Sequence, residues 1–195
     1  RATTGRPIGV LSIRTAMDAL GRLLDWLFAL DTQTALLLAD LRSPLATKLL
    51  TSVTGLGSAT AALVFLGLFF TAGWREETER AGIALAITGI VVATLMAVVA
   101  RPFPPMPVCQ TTGEAVASSF PSGHAAAGTV FALTAWRSDE LPVGVVAPLA
   151  LLVAVSRVYL GTHYLTDTVA GVAIGIGAVA LAGAVLARWA PLTDR

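Results

Sequence analysis

Two histidines, His124 and His163, stand in the whole sequence, and each lies at the end of an apolar run among residues suited to an anion. Around the first, Phe120-Pro121-Ser122-Gly123-His124 opens an apolar helix. Proline suits a first turn, serine caps it, and glycine lets backbone approach a ligand closely. A helix N-terminus also presents unpaired N–H groups to a phosphate. Around the second, the chain reads Ser156-Arg157-Val158-Tyr159-Leu160-Gly161-Thr162-His163-Tyr164-Leu165-Thr166-Asp167. His163 and Asp167 are four apart, so on a helical turn they share a face. A carboxylate there fixes the imidazole tautomer and stabilises its charged form, which makes the ring a better nucleophile or base. Arg101-Pro102 closes another apolar run, and Arg101 with Arg157 offers two permanently charged planar donors for phosphate oxygens. Taken singly, each histidine reads as a satisfied structural residue and each arginine as a snorkelling one. Their convergence on one face is what points to phosphoryl chemistry.

The elements that must position them are membrane helices. The chain has 195 residues, 55% hydrophobic and 13% charged, with a mean hydropathy of +0.78. Soluble domains run to roughly a quarter charged. Five runs contain no Asp, Glu, Lys or Arg: Leu49 to Trp74, Ala81 to Ala100, Ala115 to Trp136, Leu141 to Ser156 and Thr168 to Ala187. A span needs about 20 apolar residues, and the fourth run reaches that by continuing past Arg157 to Leu160. Five all-apolar helices cannot hide inside a small soluble domain. The expected fold is an all-α, multi-pass membrane bundle with five clear spans plus an N-terminal amphipathic or sixth membrane helix. It forms one domain over residues 1–195, with an amphipathic N-terminal region over 1–48 and the bundle core over 49–187. The net charge of +1 sets nucleic acid aside. The single cysteine, Cys109, excludes an internal disulfide framework and a cysteine-ligated metal.

Trp74-Arg75, Trp136-Arg137 and Arg188-Trp189 end three runs on one face, with the connectors 75–80 and 137–140. Tryptophan and arginine suit the headgroup level, and basic excess favours the cytoplasm. The segments 101–120 and 157–167, which carry the candidate site, then fall on the extracytoplasmic face. Residues 8–30 place Arg14, Asp18, Arg22 and Asp25 on one face and Ile13, Met17, Leu20, Leu24 and Leu27 on another. Such a helix either lies in the interface or crosses with its charges packed against the bundle. If it does not cross, Arg1, Arg6, Arg14, Arg22, Arg42 and Lys48 oppose the positive-inside rule. Gly171-Val172-Ala173-Ile174-Gly175 is a small-xxx-small pattern that predicts close helix packing within the bundle.

Pro121-Ser122-Gly123-His124, followed by Ser-Arg-x5-His-x3-Asp from Ser156 to Asp167, resembles the signature of the type 2 phosphatidic acid phosphatase family, the lipid phosphate phosphatases. Arg101-Pro102 matches the end of that family's first motif. The resemblance implies a bundle of six membrane helices that cleaves lipid phosphates through a phosphohistidine, without a metal or other cofactor. It implies His163 as nucleophile, Asp167 as its orienting carboxylate and His124 as the acid that protonates the leaving oxygen. Arg101, Arg157, Ser122 and the backbone N–H of Gly123 would bind the phosphate. Two family positions depart: Thr94 stands where the first motif begins with lysine, and Phe103 where a second arginine is frequent. The expectation is weaker phosphate binding, a shifted substrate, or compensation by a base such as Lys48.

Rival readings remain at this level. A lipid phosphotransferase would use the same histidine with a different acceptor. A haloperoxidase shares the motifs but is larger and soluble. A metal hydrolase would gather His124, His163 and Asp167. A non-enzymatic membrane protein would line a path with these polar groups. A site at the membrane face favours an amphiphilic substrate: a polyprenyl diphosphate, phosphatidic acid or phosphatidylglycerol phosphate.

Overall fold

The computed structural model describes residues 8–109 and 118–193. These residues form helices α1 (Ile8–Asp40), α2 (Pro44–Thr54), α3 (Ala59–Thr71), α4 (Arg75–Val99), α5 (Gly123–Trp136), α6 (Val143–Tyr159) and α7 (Leu165–Thr193), with a short 3-10 turn, Gly55–Gly57, between α2 and α3. The all-α expectation holds for the described residues.

Helix α5 is the central post, packed by α4, α6 and α7. Its alanine-rich sequence is apolar all round, which suits a helix with neighbours on every side. Ala126 and Val130 are fully buried. Phe131 meets Phe65 and Phe69 edge to face, with centroids 5.3 and 6.0 Å apart, the geometry aromatic quadrupoles favour. Gly171 and Gly175 let α7 close on α5: a Cβ at Gly175 would stand 2.6 Å from the Ala126 carbonyl oxygen, and one at Gly171 would strike that of Ser122. The small-xxx-small pattern serves packing inside the bundle, as expected.

The span count differs from the expectation. Helix α4 and residues Leu165–Arg188 of α7 are each long and apolar enough to cross a bilayer. The first expected span is broken: α2 with its 3-10 turn and α3 are bent by 60°, because Gly55 and Gly57 loosen the chain and Ser58 starts a new helix by accepting from the Ala61 N–H at 3.1 Å. Helix α5 has only 14 residues, about 21 Å. Its run begins at Ala115 in the sequence, but Ser122 caps a helix that starts at Gly123, and 118–122 form a buried polar loop. Helix α6 has 17 residues, short of the usual span. The chain is a membrane protein whose central helices are shorter than the bilayer is thick.

Helix α1 is continuous to Asp40 rather than ending near Leu30. Asp18, Arg22 and Asp25 are exposed, so these charges are not packed against the bundle. Contact comes near its C-terminal third, where Asp31 and Ala35 are buried. Arg1, Arg6 and residues 115–117 of the expected third run lie outside the described residues, as do the side chains of Ile13, Arg14 and Trp189. The connectors expected to share a face do so. The Ser138 hydroxyl donates to Glu77 at 2.6 Å, Trp74 packs on Phe69, and Gly183 of α7 lies beside Arg137.

Candidate active site

The opposite end of the bundle is organised around Ser118 to Ser122. Ser118, Ser119 and Ser122 are fully buried, which requires their polar groups to find partners. Helix α4 stops at Ala100 in a left-handed conformation, φ 46°, turning the chain across the bundle end. The Arg101 N–H then donates to Ser118 Oγ at 2.9 Å, and the Ser119 N–H donates to the Arg101 carbonyl at 2.8 Å. The Ser122 N–H donates to the Asp167 carbonyl at 3.0 Å. Backbone hydrogen bonds thus bring three sequence-distant motifs together.

His163 is 2% exposed and its Nδ1 lies 2.5 Å from the Ser119 carbonyl oxygen. A carbonyl only accepts, so Nδ1 carries the hydrogen and the neutral ring has its lone pair on Nε2. Asp167 is farther from the ring, with Oδ2 3.9 Å from Nδ1. His163 precedes α7 rather than sharing a helical turn with Asp167. The hydrogen-bond partner of Nδ1 is therefore the Ser119 backbone, which sequence spacing does not reveal. Asp167 Oδ2 accepts from the Tyr164 N–H at 2.9 Å, while Oδ1 accepts from Arg101 Nη1.

Arg101 bridges two carboxylates. Its Nη1 donates to Asp167 and, at 2.8 Å, to Thr166 Oγ1, and its Nη2 donates to Asp31 at 2.7 Å. The guanidinium lies over the Tyr164 ring, 4.1 Å from the centroid, a favourable cation–π geometry. Burial works against the charge, and the hydrogen bonds and charges of Asp31 and Asp167 outweigh it, holding Arg101 above its ordinary pKa. Asp31 is 2% exposed and belongs to none of the motifs in the sequence. Its signal there is a lone carboxylate between Phe28-Ala29-Leu30 and Ala35-Leu36-Leu37-Leu38.

The other half of the site is built on the broken span. Arg157, 2% exposed, donates from Nη1 to Thr54 Oγ1 at 3.1 Å, and its carbonyl accepts from the Thr162 and His163 N–H groups. Gly57 packs on His124: a Cβ there would lie 3.0 Å from the His124 carbonyl oxygen and 2.7 Å from Val153. Ser122 Oγ accepts from the Ala125 N–H at 3.4 Å, as a helix cap. Pro121 falls just outside α5 rather than in its first turn. Arg42 clamps the α1–α2 corner to this end by donating to the Tyr159 carbonyl at 2.9 and 2.8 Å, and to those of Pro107 and Val108. Below Gly57, an apolar cavity of about 220 Å³ runs between α3, α5 and α6, lined by Leu56, Phe65, Phe131, Val146 and Val153.

The two departures have different surroundings. Phe103 stands beside the His163 ring, centroids 6.4 Å apart. Thr94 is exposed on α4 with its hydroxyl donating to the Ile90 carbonyl, and Lys48 is exposed on α2. Among the described residues, no three His, Cys, Asp or Glu side chains gather closely enough to hold a metal ion.

The motifs gathered at this end, from Arg101 to Asp167, fall within a longer match. Residues 77–190 fit the family model described as the PAP2 superfamily. The chain belongs to the PAP2 superfamily. Over 120 residues it is 33% identical to the decaprenylphosphoryl-5-phosphoribose phosphatase of Mycobacterium tuberculosis, covering 60% of this chain and 67% of that one. Its fold is similar to two crystal structures, each with a TM-score of 0.68. The first, LpxE of Aquifex aeolicus, is 24% identical and aligns over 78% of this chain and 94% of its own. The second, a transmembrane PAP2-type phosphatidylglycerolphosphate phosphatase of Bacillus subtilis, is 22% identical and aligns over 81% and 85%. This PAP2 chain is a phosphoric ester hydrolase, and Asp31, Arg42, Thr54 and Gly57 lie outside its matched segment.

Proposed function

We propose that this PAP2 protein is a metal-independent lipid phosphatase that works through a phosphohistidine on His163, with its site on the extracytoplasmic face. The observation that carries the reading is the Ser119 carbonyl at Nδ1, which leaves the lone pair of a neutral His163 on Nε2. In the first step Nε2 attacks phosphorus and the bond to the leaving oxygen breaks. His124, at the N-terminus of α5, gives that oxygen a proton. In the second step His124 takes a proton from water as the water attacks the phosphohistidine, releasing inorganic phosphate and restoring both rings.

Phosphoryl transfer depends mostly on positioning and on charge neutralisation. Arg101, Arg157, the Gly123 N–H and the Ser122 hydroxyl supply the neutralisation. Asp167 acts on His163 through the shared charge cluster more than by a direct hydrogen bond, given its 3.9 Å separation. The substrate is a phosphate on an amphiphile whose tail stays in the lipid. Two features support this: the apolar cavity beneath the His124 end, and similarity to a phosphatase whose name specifies a decaprenyl-linked ribose phosphate. A polyprenyl-linked sugar phosphate is the first substrate to try, ahead of polyprenyl diphosphate, phosphatidic acid and phosphatidylglycerol phosphate.

The test is phosphate release from that panel by detergent-purified protein in excess EDTA, beside His163→Ala. Release that survives chelation, vanishes in the variant and leaves acid-labile phosphate on His163 is the expected result. Turnover by folded protein that needs added metal, or that persists in His163→Ala, would overturn the reading.

A further inference from the structure

Asp31 reaches the site from α1, outside the segment that matches the family. A buried carboxylate is costly unless both oxygens are bonded, and here both are. Oδ1 accepts from the Thr166 N–H at 2.9 Å, and Oδ2 accepts from Arg101 Nη2 at 2.7 Å and from the Thr166 hydroxyl. Thr166 Oγ1 accepts in turn from Arg101 Nη1 at 2.8 Å, closing a ring of three residues. Thr166 lies in the first turn of α7, where backbone N–H groups have no partner within the helix and negative charge is favoured. Asp31 therefore caps α7 from a different helix while holding one nitrogen of Arg101.

The geometry of Arg101 follows from this arrangement. With Asp31 on Nη2 and Asp167 on Nη1, the guanidinium bridges the two carboxylates with its Cζ over the Tyr164 ring. With Asp31 neutralised, Arg101 would turn both nitrogens to Asp167, since the bidentate pair is the stronger arrangement. That rotation would draw Asp167 away from His163 and turn the guanidinium away from phosphate. We propose that Asp31 is a positioning residue for phosphoryl transfer: it holds Arg101 and the first turn of α7 so that the arginine faces the phosphate and Asp167 stays shared with His163. The active site of this chain is then incomplete without α1. The inference rests on the proposed roles of Arg101 and His163.

The test measures the Kd of inorganic phosphate by calorimetry, and kcat on the best lipid, in a double-mutant cycle. Asp31→Asn is expected to weaken phosphate about tenfold and lower kcat about tenfold, with its melting temperature within a few degrees of the parent. In an Arg101→Ala background the same substitution is expected to change Kd less than about twofold, because coupled residues are non-additive. Asp31→Glu, which keeps the charge, is expected to recover much of the affinity. An unchanged Kd in Asp31→Asn, or the same factor in both backgrounds, would overturn the proposal. Should Asp31→Asn not fold, Thr166→Val weakens the same ring, and an unchanged Kd there is equally fatal. Phosphate binding needs no turnover, so a failure to label His163 would sink the phosphohistidine and leave the Asp31 result readable on its own.

Discussion

The two ends of this bundle hold their charges in opposite ways. At the end with Trp74 and Trp136, Arg75 pairs with Glu79 along exposed helix surface, with side-chain exposures of 83% and 45%, and the half-buried Arg80 only approaches the exposed Glu76, at 4.0 Å. At the other end Asp31, Arg101, Arg157, His163 and Asp167 are buried or nearly so, and their partners come from α1, α2, the loop before α5 and the start of α7. Exposed pairs are screened and contribute little. Buried charges are costly to assemble and more costly to break singly. A cluster of the second kind is weak evidence for stability and better evidence for chemistry. Substitutions at the two ends should therefore separate into those that remove turnover and those that leave it unchanged.

The largest effect is expected at Asp167. It is fully buried and touches Arg101, the Tyr164 N–H and, at longer range, His163. Asp167→Ala leaves Arg101 with Asp31 as its carboxylate and removes the charge that favours the imidazolium. Turnover is expected to fall about 10²- to 10³-fold, the scale of removing one preorganised electrostatic group from a buried site. Stability is expected to fall by about 1–3 kcal/mol, the cost of leaving the Tyr164 N–H without its acceptor, because Arg101 keeps Asp31. Phosphate release and detergent-phase thermal melts check the two separately. Full turnover in the variant would remove the contrast between the ends.

Next is Gly57→Ala, which tests whether the broken span belongs to the site. The added Cβ meets the Val153 side chain of α6 at 2.7 Å and the backbone of His124 at 3.0 Å, so Val153 or the 3-10 turn must shift and His124 must give by a few tenths of an ångström. Overpacking of this kind costs about 1–3 kcal/mol. A shift of about 1 Å at an acid can cost 10²-fold in rate. The expected signature is a loss in kcat larger than the loss in stability explains. A parallel loss of both would make Gly57 a packing residue only.

The candidate site was more legible in this sequence than the helix boundaries, for a physical reason. The proposed phosphate binding and proton transfer need particular residue types, so Arg101, Ser122-Gly123-His124, Arg157, His163 and Asp167 stand out as candidates by type and spacing. The structure brings Arg101, His163 and Asp167 into one cluster and ties Ser122 to it through the Asp167 carbonyl. What spacing cannot show is a partner donated by backbone or by a distant helix. The Ser119 carbonyl has no sequence signature, and Asp31 lies 70 positions from the arginine it holds. Hydropathy misled on the spans, since the run from Ala115 stays apolar past Ser118 and Ser119 although those residues are a buried loop. The same blindness hid the break at Gly55–Gly57, because glycine is neutral on a hydropathy scale and decisive for backbone.

A smaller effect separates the two departures from the family motif. Phe103 stands beside His163 and Thr94 is exposed on α4. Phe103→Arg is expected to lower KM for the lipid phosphate about tenfold, roughly the 1.5 kcal/mol or more of a hydrogen bond to a charged group. Thr94→Lys, expected from the motif alone to restore phosphate binding, should change KM less than Phe103→Arg does. The reverse order would mean that α4 turns a lysine inward when one is present.

The smallest effect is expected at the far end, and it sets the baseline for the rest. Arg75→Ala removes the 2.7 Å contact with Glu79 and leaves the Glu79 carboxylate in water, where it keeps its hydration. Its salt bridge is of the (i, i+4) kind that adds little to a helix already held by tertiary packing. The neighbouring Glu77 differs, since it is buried and accepts from Ser138 at 2.6 Å, joining two connectors. Glu77→Ala should therefore lower the melting temperature with KM unchanged, whereas Arg75→Ala should move neither. If Arg75→Ala changes KM, charge at one end reaches the chemistry at the other, and the two ends are not energetically separate.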